Sequence, residues 1–219
     1  MTRTITRLFD DYDDARDAVT ELERLGIAHS DLSIVANNAH GRHPLSGRDS
    51  ARDHDHHHHD DHDHDHGEIG AGASTGAAIG GVGGLLAGLG LLAIPGLGPI
   101  VAAGWLASTA VGAAIGAGVG AAAGGLVDAL RNEGHSEDEA NVYSEGVRRG
   151  GTLVSARVSD DRVDEVESVL EDNGGVDAET RGTDYRRSGW TAFDREAAPY
   201  TAEEVDRERD VYRREPTGV

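Results

Sequence analysis

"AIPGLGPI" spans Ala93–Ile100, with Pro95 and Pro99 bracketing Gly96 and Gly98. Proline fixes its own φ, and glycine reaches backbone conformations closed to other residues, so the chain turns here. What the turn joins decides the fold. On both sides the sequence is uncharged: from Ile69 to Val127 there is no Asp, Glu, Lys, Arg or His. Small residues recur at every fourth position. Gly72, Gly76, Gly80, Gly84 and Gly88 precede the turn; Gly104, Ser108, Gly112, Gly116, Gly120 and Gly124 follow it. Spacing by four places them on one face of a helix. The pattern predicts two antiparallel helices, Ile69–Ile94 and Ile100–Leu130, touching along a seam of small side chains.

Each arm exceeds the roughly 20 residues that cross the hydrocarbon layer. Lipid tails are as apolar as leucine, so close packing is among the few forces that pair helices in a bilayer, and glycine favours it. Residues 69–131 therefore read as a glycine-zipper transmembrane hairpin, with the lipid bilayer and further copies of the chain as partners. Two other readings stay open: a hairpin that dips in without emerging, and a soluble or membrane-active oligomer that packs its seams together. A phosphate-binding loop needs G-x-G-x-x-G after a strand or a glycine loop ending in Gly-Lys, and neither occurs. Arg131, Arg148 and Arg149 follow the second arm. By the positive-inside tendency they place both termini on the cytoplasmic side of an inner membrane.

The net charge of −20 sits entirely outside the uncharged tract. Phosphate contacts need clustered cations, so such an acidic chain argues against nucleic acid. Arginine is the only basic residue besides histidine, and cysteine is absent, which removes disulfides, thiolate catalysis and Cys-ligated zinc. "MTRTITRLFDDYDDARD" has no apolar core of signal-peptide length, so export by that route is not expected.

The flanks carry ordinary α and β periodicities. Thr2–Phe9 and Asp31–Asn38 read as strands around a helix that turns Ala15, Ala18, Val19, Leu22 and Leu25 to one side. After the tract, Ser136 and Glu139 form a capping box for a helix facing inward through Ala140, Tyr143 and Val147. "TLVSARVS" alternates Val154, Ala156 and Val158, and the next helix turns Val163, Val166, Val169 and Leu170 inward before Gly174. "VDAETRG" supplies a final strand through Val176, Ala178 and Thr180. Two β-α-β halves predict an α+β fold, a ferredoxin-like sandwich split by the glycine-rich helical hairpin. Two unrelated flanking segments are the alternative. The organisation expected is 1–40 and 132–183 as halves of the module, 41–68 as linker and 184–219 as a charged tail. Within that tail Thr201 and Glu204 cap a short helix to about Arg214, and Trp190 and Phe193 pin it down.

"DHDHHHHDDHDHDHG", Asp53–Gly67, presents His54, His56, His57, His58, His59, His62, His64 and His66 among aspartates. Imidazole and carboxylate suit zinc or nickel, but the run has no fixed ligand number or scaffold. It reads as a solvated linker or a loose divalent-metal buffer, the second functional class the sequence offers. No nucleophile elbow, H-E-x-x-H or kinase set occurs, and His29 and His135 stand alone near loop or cap positions, as surface residues do. The expectation is a protein without enzymatic activity, catalytic residues or a tightly bound cofactor.

"RTITRLFDDYDDARDAVTELERLGI", "EANVYSEGVRRGGTLVSARV" and "GWTAFDREAAPYTAEEVDRER" together resemble a bacterial heat-induced or general stress protein family, YflT-like. The resemblance covers the N-terminal segment, the type of hairpin and most of the C-terminal flank. It implies a soluble module joined to a glycine-rich apolar hairpin and an association with stress. It transfers no catalytic residue, and the His/Asp run looks like an elaboration of this chain alone.

Overall fold

The computed structural model describes residues 2–41, 90–94, 96–107 and 125–214. Its elements are β1 (Thr2–Phe9), α1 (Tyr12–Arg24), β2 (Leu32–Asn37), β3 (Gly90–Ile94), β4 (Gly98–Gly104) and α2 (Gly125–Asn132). They continue with α3 (Glu137–Arg148), β5 (Thr152–Ser159), α4 (Val163–Asp172), α5 (Ala178–Arg187) and α6 (Ala202–Arg214). This is a mixed α/β fold around one sheet of five strands in the order β1-β5-β2-β4-β3. Every neighbouring pair is antiparallel.

Helices cover both faces of the sheet. On the first face, α1 packs through Ala15, Ala18, Val19 and Leu22, and α4 through Val163, Val166 and Leu170. Both press onto Ile5, Phe9, Leu32, Ile34, Val154, Ala156 and Val158. On the second face α2, α3 and α5 meet Leu8, Val35, Ile100, Ala102 and Leu153. β2 is buried along its whole length because it is central and covered twice, which explains its near-continuous apolar run. The periodicities of α1, α3, α4 and β5 place their apolar residues where the sequence expects them, with Leu25 left exposed and Val169 only partly covered. The Ser136 and Glu139 capping box forms. Thr201 and Glu204 bond reciprocally at the start of α6, with Trp190 and Phe193 packed against the second core.

The turn at 93–100 stands where the sequence puts it, but its arms are strands. Leu97 N–H donates to Ile94 O at 3.0 Å, Gly96 and Gly98 have φ of 78° and 81°, and Pro99 opens the return. Residues 90–94 and 98–104 are therefore not helical, and they lie in the sheet rather than apart from it. β2 needs a partner on its outer side, because its buried N–H and C=O groups would otherwise go unpaired. Gly104 serves that pairing rather than a helix seam. A Cβ there would fall 2.2 Å from Leu32 O, at a φ of 85°.

The second expected span, Ile100–Leu130, is likewise not one helix: it starts in β4 and ends in α2. Ala107 and Leu126 pack on the same core. Two continuous helices joined directly by the Pro-Gly turn do not fit residues 90–94 and 98–104, which are paired strands. Among the described residues no helix is long and apolar enough to cross a membrane. The expected last strand is also corrected. Only Val176 bridges to Leu8, and Asp177 then caps α5 by accepting from Thr180 N at 2.7 Å. An aspartate before a run free of β-branched apolar residues starts a helix more readily than it extends a strand.

Of the expected seam and turn residues, Gly72, Gly76, Gly80, Gly84, Gly88, Pro95, Ser108, Gly112, Gly116, Gly120 and Gly124 lie outside the described residues. So do His54, His56, His57, His58, His59, His62, His64 and His66.

Candidate binding cleft at the sheet edge

β1 is one edge of the sheet, and its outer side opens on a cleft of about 860 Å³. Leu8 exchanges both backbone hydrogen bonds with Val176, at 2.9 and 2.8 Å, so its N–H and C=O point away from β5. In an antiparallel strand alternate residues share that direction. The backbone groups of Thr2, Thr4 and Thr6 therefore face the cleft. Tyr143 O–H donates to Thr6 O at 2.8 Å, and Arg7 Nη1 donates to the same oxygen at 3.1 Å. The edge is closed at one end and open at the other.

The cleft has two chemically different walls. Thr4, Thr6 and Arg157 share one face with the α2–α3 connection. Thr6 Oγ1 bonds His135 Nε2 at 2.8 Å and Ser155 Oγ at 2.9 Å, and Thr4 Oγ1 donates to Glu133 at 3.4 Å. Arg157 pairs with Glu133 and stacks over the Trp105 ring at 3.9 Å. On the opposite face Arg7 pairs with Glu167 and Glu171 of α4 at 3.2 and 3.0 Å, with Arg3 beside it along the strand. Burial opposes the charge on Arg7, but the Glu171 hydrogen bond and nearby anions raise its pKa further.

His135 is not the surface residue expected. It sits edge-on to Tyr143 at 5.7 Å. Burial lowers its pKa and so favours the neutral ring, while Glu139 and Glu133 pull the other way. Burial likewise raises the Tyr143 phenol far above its ordinary range. A His-Thr-Ser chain invites comparison with nucleophile activation, but Thr6 is 1% exposed and Ser155 fully buried. Both hydroxyls are engaged in hydrogen bonds inside the wall. The chain is a structural network that fixes the wall of the cleft. Among the described residues no group of three or more His, Asp or Glu is placed to hold a metal ion.

A second polar cluster lies under the C-terminal segment. Glu145, fully buried, accepts from Arg148 Nε and Nη2 at 2.9 and 2.8 Å and from Arg149 Nε at 2.7 Å. Arg149 also reaches Glu208 of α6 at 2.9 Å. Arg148, Arg149 and Arg181 stack over Tyr200, Tyr185 and Tyr212. Arg181, 1% exposed, pairs with Asp10 at 2.8 Å. Arg149 through Glu208 and Arg181 through Tyr212 fasten α6 across the second core. The sequence reading missed both clusters. Arg181 did leave a signal, lying at the i+3 position between Ala178 and Tyr185 on the inward stripe of α5. Glu145 left another, with arginines three and four residues on.

Comparison with known protein families, curated proteins and solved structures gives no match to this chain.

Proposed function

We propose that the chain is a non-enzymatic, membrane-anchored stress-response protein that self-associates through its glycine-rich tract. One observation supports the reading: the middle of that tract is held in the sheet as two paired strands, Gly90–Ile94 and Gly98–Gly104. Gly90 pairs with Ala102, so residues 69–89 enter, and residues 108–124 leave, at the same end of the β3–β4 hairpin. Two neighbouring uncharged stretches, both rich in small residues, are suited to pack on each other, on further copies and on lipid. In this proposal the tract anchors the body to the bilayer. The stress association follows from the resemblance of the flanks.

The body that carries the tract is, in this proposal, a ferredoxin-like module. Two features support it: β5 lies between β1 and β2, and Val176 sits on the outer side of β1, where a fourth strand would run. The fourth strand is shortened to one bridge, and the β3–β4 hairpin lengthens the other edge. Carbonate-washed membranes from cells test the anchor, and light scattering of the purified chain tests association. Gly80→Leu with Gly116→Leu is expected to lower both the membrane-retained fraction and the oligomer size. Retention and size unchanged by the pair would refute the role of the tract.

A further inference from the structure

The C-terminal segment crosses the β3–β4 turn before it settles on the end of α3. A Cβ on Gly96 would fall 2.9 Å from Arg195 O, and one on Gly98 would fall 2.8 Å from Cβ of Pro199. Arg195 also pairs with Asp128 of α2 at 3.3 Å. Beyond Pro199, Val205 of α6 sits directly over Gly150, and Arg209 Nη2 donates to Gly150 O at 2.7 Å. His40, just past β2, meets Asp206 at 3.0 Å. One segment thus ties α2, the hairpin turn, the end of β2 and the end of α3 together.

Its hold is shallow. From Ser188 to Tyr212 only Val205 is buried. The ion pairs to Glu208, Asp206 and Asp128 each leave a carboxylate open to water, and such pairs contribute little apiece. Segments with few buried apolar contacts open before the rest of a fold. We infer that residues 189–212 are a detachable clasp that holds the β3–β4 hairpin in the sheet. When it opens, the hairpin leaves β2 while β1, β5 and the first core stay folded. Resting on the anchoring function proposed above, the clasp regulates the anchor, because a released hairpin no longer divides the uncharged tract.

Amide exchange followed by NMR, without lipid, tests the clasp in the full chain, in a chain ending at Ser188 and in Val205→Ala. Asn38 N–H donates to Pro99 O, so Val101, two residues on, turns its N–H to β2. Ile5, an odd number of residues from Leu8, turns its N–H to β5 and reports on the rest of the sheet. The Val101 amide is expected to exchange roughly tenfold or more faster in the shortened chain, and about threefold faster in Val205→Ala, with Ile5 unchanged. Equal Val101 exchange in the full and shortened chains overturns the inference. A matched acceleration of Val101 and Ile5 overturns it too, by making the segment part of one cooperative body. Membrane retention is measured separately, so a failure of the anchor leaves this result standing.

Discussion

The two faces of the sheet are built by different chemistry. The apolar cluster of the first core consists of aliphatic side chains and Phe9, supplied by β1, α1, β2, β5 and α4. The second contains Tyr143 and Tyr185 in its apolar cluster and buries Glu145 and Arg181 beside it. Its cover comes from widely separated parts of the chain: α2, α3 and α5, the β3–β4 hairpin and the C-terminal α6. A core of the first kind is held by area and packing. One of the second kind also depends on every buried charge keeping its partner.

Truncation in the first core has the largest expected effect. Leu22→Ala removes a fully buried side chain from α1 and should cost about 3 kcal/mol. Urea unfolding at two pH values checks it, with the loss the same at both. On the second face, Glu145→Gln keeps the shape but removes the charge that holds Arg148 and Arg149. A loss of about 2 kcal/mol is expected, because two nearly buried guanidinium groups lose their anion. If that variant were neutral while Leu22→Ala was costly, the second face would be an apolar core like the first.

The smallest effect is a pH slope. The folded pKa of His135 lies below its unfolded value. Below the unfolded value the unfolded chain takes up a proton that the folded chain does not. Stability is therefore lost as pH falls from the ordinary histidine range towards the lowered value, and levels off beneath it. His135→Gln should flatten part of that slope in denaturation midpoints measured from pH 7 to pH 5. An unchanged slope would mean that the ring is not held neutral.

The same contrast governs what was legible in the sequence. α1, α4 and β5 announce themselves because apolar residues recur at 3.6 or 2 against charged neighbours. Ser136 with Glu139, and Thr201 with Glu204, mark helix starts just as clearly. In the uncharged tract that contrast vanishes. Gly90–Ile94 and Gly98–Gly104 are short apolar runs, and such runs do not separate strand from helix by period alone. The deciding fact is the outer side of β2, which pairs with β4 more than sixty residues away. Asp177 was the overlooked helix cap that turned an expected strand into α5. The cleft was less visible still, since Thr6, His135 and Ser155 meet only once β1, β5 and the α2–α3 connection are in place.

Cysteine placement gives the most direct measurement of the hairpin's place in the sheet, because the chain has no cysteine of its own. Asn38 N–H donates to Pro99 O, which makes Val35 and Ala102 a non-hydrogen-bonded pair on one face of adjacent strands. Such pairs bring Cα atoms within disulfide range. Val35→Cys with Ala102→Cys is expected to oxidise to an intramolecular disulfide, whereas Val35→Cys with Ala103→Cys, whose side chains point to opposite faces, should stay reduced. Failure of the first pair to close, or equal closure of both, would contradict the sheet and return residues 90–104 to the helical hairpin.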